Sequence, residues 1–154
     1  MTSRDDKERK FVEAIPNWLE AEDGHIYLID AEQNFDWHQA VNECKRRGLR
    51  LVEIESLTKS DALDALLRNS FEGSLPNLWI GASDLEVSGE KNRPFYWSMS
   101  GKRMTFSNWA NKQPDNYKGN EHCVHIYSPY NLKWNDVPCT FKQGFICETR
   151  FMTK

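Results

Sequence analysis

Gln113–Tyr117, which reads QPDNY, is the stretch with the most evident chemical potential, because it combines two amides, a carboxylate, a proline and an aromatic ring. Further oxygen-bearing side chains follow at Glu121, Asn135 and Asp136. Carboxylate and amide oxygens are ligands for hard cations such as Ca²⁺, which takes about six to eight of them. Each residue alone also fits a surface turn, where Pro, Asn and Asp set or cap the backbone. The helices, strands and loops predicted around these residues are needed to decide between a cation site and a surface turn.

The first half of the chain predicts two helices. One opens at Asn34–Trp37 and places apolar residues at i, i+3, i+4 and i+7, so that Cys44 faces the core. The second is predicted over residues 58–69, where three leucines share one face. Short strands are predicted at residues 25–29, 51–54, 78–81, 95–97, 123–127, 133–135 and 144–147. Two helices followed by several strands indicate an α+β domain.

The segment from Gly81 to Gly119 predicts packed but irregular structure. Gly, Pro, Asn and Ser interrupt it often, yet it contains too much Trp and Tyr for a disordered chain. Long packed loops of this kind usually have a functional reason, and QPDNY lies inside this one. We assign the tryptophans of this half of the chain to packing, since large aromatics dominate cores; they are Trp79, Trp97, Trp109 and Trp134.

Length and composition predict one extracellular domain. The chain has 154 residues with 20 basic and 23 acidic side chains, which fits a single core and gives no clustered basic face for nucleic acid. Its four cysteines lack zinc-site spacing, which favours two disulfides and an oxidising compartment. No segment is long and apolar enough to span a bilayer, and the first residues lack a secretory apolar region. A signal or membrane anchor is therefore expected to precede residue 1.

Six short motifs, in order, resemble the C-type lectin-like domain family. They are the Trp37-x-x-Ala40-x-x-x-Cys44 helix, Leu78–Gly81, Gln113–Asp115, Glu121–Val124, Trp134–Cys139 and Gly144–Glu148. Each motif is weak alone, but six in order with all four cysteines in register make the resemblance specific. It covers roughly residues 25–149, which leaves 1–24 as an expected flexible lead-in and 150–154 as a C-terminal tail.

The resemblance implies a looped fold whose termini meet in one sheet. Cysteine spacing alone leaves three disulfide pairings open. The resemblance implies Cys44 with Cys147 and Cys123 with Cys139. In the chain-entropy description, such bridges contribute about 3 to 5 kcal/mol each. We expect the shorter bridge to support the candidate site, because it joins the two strands that flank that site.

The resemblance also implies a calcium site. The positions that hold the principal calcium in sugar-binding members all carry oxygen donors here: Gln113, Asp115, Glu121, Asn135 and Asp136. A cis peptide bond before Pro114 is implied as well, which turns the neighbouring side chains toward a common point. Sugar hydroxyls would complete the coordination of the ion. Carboxylates would accept the hydroxyl protons, and the amides of Gln113 and Asn135 would donate.

The order of the amide and the carboxylate on either side of Pro114 indicates which type of sugar the site prefers. Mannose-type members carry Glu-Pro-Asn where this chain has Gln113, Pro114 and Asp115, as in galactose-type members. Tyr117 would offer an aromatic face to the C–H patch of galactose, and an exposed ring without a ligand is the alternative. The short segment after Tyr117 leaves mannose binding open. Expected partners are galactose-type glycans on glycoproteins or microbial surfaces, with homo-oligomers supplying avidity.

A second calcium site of the family aligns with Asp84, Ser88, Asn116 and His122. Only Asp84 is a carboxylate, so this second site is expected to be lost or very weak. Neither nucleic acid nor a membrane is expected to contact this segment.

Two other classes of function remain as alternatives. An enzyme is disfavoured, because the resemblance brings no nucleophile paired with a base. A domain that recognises a polypeptide without sugar is the stronger alternative on the same fold. Relatives of that kind have usually lost the calcium positions, all of which are present in this chain.

Overall fold

Residues 17–87 and 92–150 are described by the computed structural model. Within them the chain forms an α+β fold, as predicted, with the following helices and strands: β1 Asn17–Glu20, β2 Ile26–Phe35, α1 Trp37–Lys45, β3 Leu49–Leu51, α2 Leu57–Ser70, β4 Leu78–Ser83, β5 Tyr96–Trp97, β6 Cys123–Tyr127, β7 Lys133–Val137 and β8 Gln143–Thr149. Short 3₁₀ turns lie at Leu85–Val87, Tyr117–Gly119 and Ser128–Tyr130.

Side-chain caps fix the start of both helices. The Asp36 carboxylate accepts the Gln39 N–H, and the Gln39 amide oxygen accepts the Asp36 N–H, which is a complete capping box. Ser56 caps α2 by accepting from the Lys59 N–H. The predicted apolar stripe of α1 is confirmed, since Cys44 lies buried on it. Neither helix has the length and apolar character to cross a bilayer.

One sheet carries the strands in the order β1-β2-β8-β4-β6-β7, with β3 on β8 and β5 on β4. The C-terminal strand β8 pairs antiparallel with β2 near the N-terminus and parallel with β4. Strand β1 differs from the expected lead-in over residues 1–24, because Asn17–Glu20 pairs along β2. Of the expected lead-in over residues 1–24, residues 17–24 are among the described residues.

Both disulfides have the implied pairing. Cys44–Cys147 joins α1 to β8 across a separation of 103 residues, and it lies within the buried cluster beneath α1. Cys123–Cys139 joins the start of β6 to the segment after β7 across a separation of 16 residues. The second bridge therefore holds together the two strands nearest the candidate site.

Aromatic packing attaches the long irregular loop to β7. Trp134 on β7 contacts the rings of Trp97, Phe106 and Trp109 at centroid distances of 6.0 to 6.1 Å. Its backbone N–H donates to the Asn108 carbonyl, and its own carbonyl accepts from the Ala110 N–H. The loop is thereby fixed against the strand residue that immediately precedes Asn135. The predicted packing role of these tryptophans is confirmed.

Candidate metal centre

Three carboxylates converge at one edge of the sheet. Oxygen atoms of Asp115, Glu121 and Asp136 lie within 4.8 Å of one another. Asp115 belongs to the long loop, Glu121 precedes β6, and Asp136 lies on β7. Like charges at this distance disfavour simultaneous ionisation unless a cation or a set of donors compensates them.

Asp136 is the fixed member of the cluster, with a relative exposure of 0%. Its Oδ1 accepts the Asp115 N–H at 3.1 Å, and its Oδ2 accepts the Asn116 N–H at 2.7 Å. The guanidinium of Arg93 also donates to Oδ2 at 3.0 Å. Three donors compensate the burial of this carboxylate. The two backbone donors, Asp115 and Asn116, also attach the QPDNY segment to β7.

Glu121 is held by the same loop. Its N–H donates to the Asn116 side-chain oxygen at 2.9 Å, and its Oε1 accepts the Tyr117 N–H at 3.1 Å. The pKa of Glu121 is raised to about 7, chiefly by burial; the Tyr117 N–H lowers it, while the hydrogen bond to Asp115 and the charges of Asp136 and Asp115 raise it. A divalent cation among these groups would favour the ionised form instead. The cluster is therefore electrostatically suited to a cation.

Gln113 adds an oxygen without a partner. The Gln113–Pro114 peptide bond is cis, as the resemblance implies. The side-chain Oε1 of Gln113 is buried and has no hydrogen-bond partner among the described residues. A buried carbonyl oxygen left in this state is unfavourable by about 1 to 3 kcal/mol unless a ligand compensates it. The unpartnered oxygen of Gln113 is therefore suited to be a ligand of a cation.

Asn135 is oriented by a buried histidine on the neighbouring strand. His125 lies opposite Asn135 in the β6–β7 pairing, and its Nδ1 lies 2.6 Å from the Gln143 Oε1. Because an amide oxygen only accepts, Nδ1 carries the proton and Nε2 accepts from the Asn135 Nδ2 at 3.2 Å. Burial lowers the pKa of His125 to about 4, which keeps the ring neutral near pH 7. This contact uses the nitrogen end of Asn135, so the oxygen end is the one available to a cation.

Arg93 connects three parts of the centre. It donates to the Asp84 Oδ2 at 2.8 Å, to the Asp136 Oδ2 at 3.0 Å and to the Glu121 carbonyl at 2.7 Å. The other Asp84 oxygen lies 2.9 Å from the His122 Nδ1. Sequence reasoning missed both Arg93 and His125 as residues that position the centre. Arg93 follows no local motif, and the pairing of His125 with Asn135 becomes visible only once β6 and β7 are aligned.

Two of the residues aligned with the second calcium site, Asp84 and Asn116, lie close to this guanidinium. Asp84 pairs with Arg93, and the Asn116 N–H shares the Asp136 oxygen that Arg93 also contacts. A fixed positive charge at this place opposes a second cation. The weakness of that site stays a prediction, and Ser88 lies outside the described residues.

Tyr117 lies exposed on the 3₁₀ turn beside the cluster. The Lys118 ammonium group lies 5.4 Å from its ring centroid. The backbone around it is irregular, with Asn116 in the left-handed region at φ 46°.

Of the five predicted ligands, three meet in the cluster, while Gln113 precedes it in the same loop and Asn135 is the neighbour of Asp136 on β7. Fold and site together define a disulfide-bridged, looped domain in which three carboxylates form a group that could hold a metal ion.

Comparisons with known proteins assign the family. The Lectin C-type domain description matches residues 33–149, and the chain therefore belongs to the C-type lectin domain family. Lectin subunit alpha of Sarcophaga peregrina is 44% identical over 137 residues, which cover 88% of this chain and 48% of that protein. This chain thus spans about half the length of that relative. Salivary C-type lectin 2 of Aedes albopictus is 37% identical over 120 residues, covering 74% of this chain and 77% of that protein.

A solved structure extends the comparison to three dimensions. The cow C-type carbohydrate-recognition domain of CD23, solved in the presence of a GlcNAc2Man3 oligosaccharide, aligns with a TM-score of 0.68 at 29% identity. The alignment covers 89% of this chain and 95% of that domain. The C-type lectin fold expected from the sequence is thereby confirmed.

Proposed function

We propose that this chain is an extracellular, calcium-dependent lectin for terminal galactose or N-acetylgalactosamine. The observation that carries the proposal is the Asp115, Glu121 and Asp136 cluster, reinforced by the unpartnered buried oxygen of Gln113. Together with Asn135, these residues offer five side-chain ligands of the hard oxygen type that calcium takes. Calcium held by these residues would supply a positive centre that attracts sugar hydroxyl oxygens.

The residues of the chain would hold and orient the sugar. Asp115 and Glu121 would accept hydroxyl protons, since ionised carboxylates only accept. Gln113 and Asn135 would donate from their amide nitrogens. Asn135 retains one amide hydrogen for this purpose, because its contact with His125 uses the other. Asp136 would also keep the loop on β7, since its oxygens accept from backbone and guanidinium donors while one lone pair of Oδ1 remains for a cation.

The galactose preference rests on the order of Gln113 and Asp115. An amide at the first position and a carboxylate at the second place the donor and acceptor sides opposite to those of a Glu-Pro-Asn sequence. Tyr117 supports the same preference, since an exposed ring beside the cluster can stack on the C–H patch of galactose. A polypeptide ligand bound without calcium is the alternative, and the carboxylate cluster favours it less.

The test is retention on immobilised galactose. We expect the chain to bind galactose-agarose in millimolar calcium and to elute with a chelator or with free galactose. Glu121→Gln should abolish retention, because removal of one of the clustered carboxylates should weaken calcium binding at least tenfold, about 1.4 kcal/mol. Glu72→Gln is the matched control, since it removes one exposed carboxylate on the segment after α2.

Two results would refute the proposal. One is retention that persists in chelator, which would favour the calcium-independent alternative. The other is a calorimetric titration in which the parent chain takes up no calcium at concentrations up to about 10 mM, tenfold above the weak end of the range typical of extracellular modules.

A further inference from the structure

A groove adjoins the metal centre on its Glu121 and Asn135 side. Its volume is about 440 Å³, within the range of roughly 300 to 1,000 Å³ typical of ligand clefts. Besides Glu121 and Asn135, its lining includes the aromatic rings of Tyr127, Tyr130 and Phe141. We call it the side groove. Since it shares two residues with the centre, a ligand held at the centre can extend into it.

The side groove presents a series of aromatic rings. His125 and Tyr127 stack with centroids 4.6 Å apart, and Tyr130 meets Tyr127 edge-on at 4.7 Å. Tyr130 is 44% exposed, and Phe141 is 52% exposed. Rings held firmly at one side and open on the other suit the C–H faces of a pyranose, which combine apolar carbons with polar rims.

A buried amide supplies a polar contact in the same groove. Gln143 is only 4% exposed, and its Nε2 has no hydrogen-bond partner among the described residues. The His125 Nδ1 contact fixes the opposite end of this amide, so both Nε2 hydrogens remain for an acceptor. Buried donors normally find partners, and a sugar hydroxyl or acetamido oxygen would provide one.

We infer that the side groove is a subsite for a second, uncharged sugar residue of an oligosaccharide. The inference rests on the proposed function, since the terminal residue of the same glycan would occupy the metal centre. The second residue is uncharged because Glu121 at the shared end repels anions. Lys142 also lines the groove, but its ammonium group donates at 3.0 Å to the side chain of Gln39, a residue outside the lining.

The experiment compares monosaccharide and oligosaccharide binding in calcium. Binding of methyl β-galactoside, lactose and N-acetyllactosamine is measured by calorimetry for the parent chain and for Tyr130→Ala and Phe141→Ala. We expect at least one disaccharide to bind the parent about three- to tenfold more tightly than the monosaccharide, the range that one aromatic contact provides. Both variants should lose that advantage while their affinity for methyl β-galactoside stays unchanged.

Trp18→Ala is the matched control, because Trp18 is a comparably exposed aromatic at 55% on the edge strand β1. It should retain the full disaccharide advantage. Gln143 is left intact, since its oxygen positions His125 and through it Asn135.

The outcomes separate the two claims. If methyl β-galactoside binds but neither disaccharide binds more tightly, or if the advantage survives in both variants, the subsite is refuted and the proposed function stands. If no galactoside binds in calcium, the proposed function fails and the subsite fails with it.

Discussion

Replacing Arg93 by alanine tests whether a fixed positive charge maintains the metal centre. The guanidinium joins Asp84, the Glu121 carbonyl and Asp136, which come from three separate segments. Its removal would leave two carboxylates with fewer donors while every calcium ligand stays in the sequence. The effect of the substitution therefore reports on positioning rather than on coordination.

The expected magnitude follows from burial. Removing one partner of a fully buried ion pair costs about 3 to 5 kcal/mol, whereas exposed pairs contribute about 0 to 1 kcal/mol. Here the Arg93 side chain is 25% exposed, while those of Asp84 and Asp136 are 7% and 0% exposed. Asp136 keeps two backbone donors, which reduces the loss further. We therefore expect Arg93→Ala to lower the free energy of unfolding by about 2 to 3 kcal/mol.

Urea unfolding in chelator measures this loss of free energy directly. In thermal unfolding, Tm should fall by about 4 to 10 °C. Arg93→Lys should lie between parent and alanine variant, because an ammonium group keeps the charge but not the planar fork of donors. Calcium at about ten times its dissociation constant should add about 1.4 kcal/mol to the parent. It should add less to Arg93→Ala, because the carboxylates of the centre are then less well positioned.

Arg103→Ala is the matched control, as it removes an exposed arginine from the same loop. If Arg93→Ala were as stable in chelator as this control, within about 0.5 kcal/mol, then Arg93 would be a surface residue in energetic terms. The positioning role would have to be abandoned.

Three further predictions address the alkaline stability, the shorter disulfide and the sugar preference. Burial raises the pKa of the Tyr27 phenol above its usual range. The stability that the neutral phenol contributes is therefore complete below pH ~10 and is lost as the pH rises above that value. Tyr27→Phe should unfold less readily than the parent at pH ~11, and equal sensitivity of the two chains to alkali would contradict this. Replacing Cys123 and Cys139 together by alanine should cost about 3 kcal/mol for a loop of 16 residues, and calcium affinity measured by calorimetry should fall in a chain that circular dichroism still shows to be folded. Exchanging the order of amide and acid with Gln113→Glu and Asp115→Asn keeps the net charge and should shift monosaccharide competition from galactose toward mannose; an unchanged ranking would refute the specificity argument.

Local sequence signals predicted the elements that carry their own signature. The apolar period of α1 is local, and the helix predicted to open at Asn34–Trp37 begins at Trp37. Strand β2 instead runs to Phe35, beyond the predicted Ile29, because its second half is polar and forms a strand by pairing with β8 across a bulge. Strand β1 was missed for the same reason, since its four residues depend on the edge of β2 rather than on a pattern of their own.

The residues of the metal centre likewise divide into those that a local sequence signal indicates and those that only the fold brings together. Its oxygen donors were found from motifs that lie in short stretches of the chain. Arg93 was not found from the sequence, because its partners lie 9, 28 and 43 residues away and only the folded loop brings them together. His125 needed the register of two strands before its contact with Asn135 could be inferred. Long-range positioning of this kind has no signature in composition or period.

Charge balance gives a physical reason for a single divalent ion in this centre. Asp84, Asp115, Glu121 and Asp136 are four carboxylates, and Arg93 contributes one fixed positive charge beside two of them. With all four carboxylates ionised, the centre carries three negative charges, and one calcium ion leaves a single one. That remaining negative charge favours acceptance of hydroxyl protons from a neutral sugar. A second calcium ion would make the centre positive and would have to approach the guanidinium closely, which Coulomb repulsion disfavours most where water is excluded. We therefore expect Arg93 to limit the proposed centre to one calcium ion, and a calorimetric stoichiometry of two calcium ions per chain would contradict this charge argument.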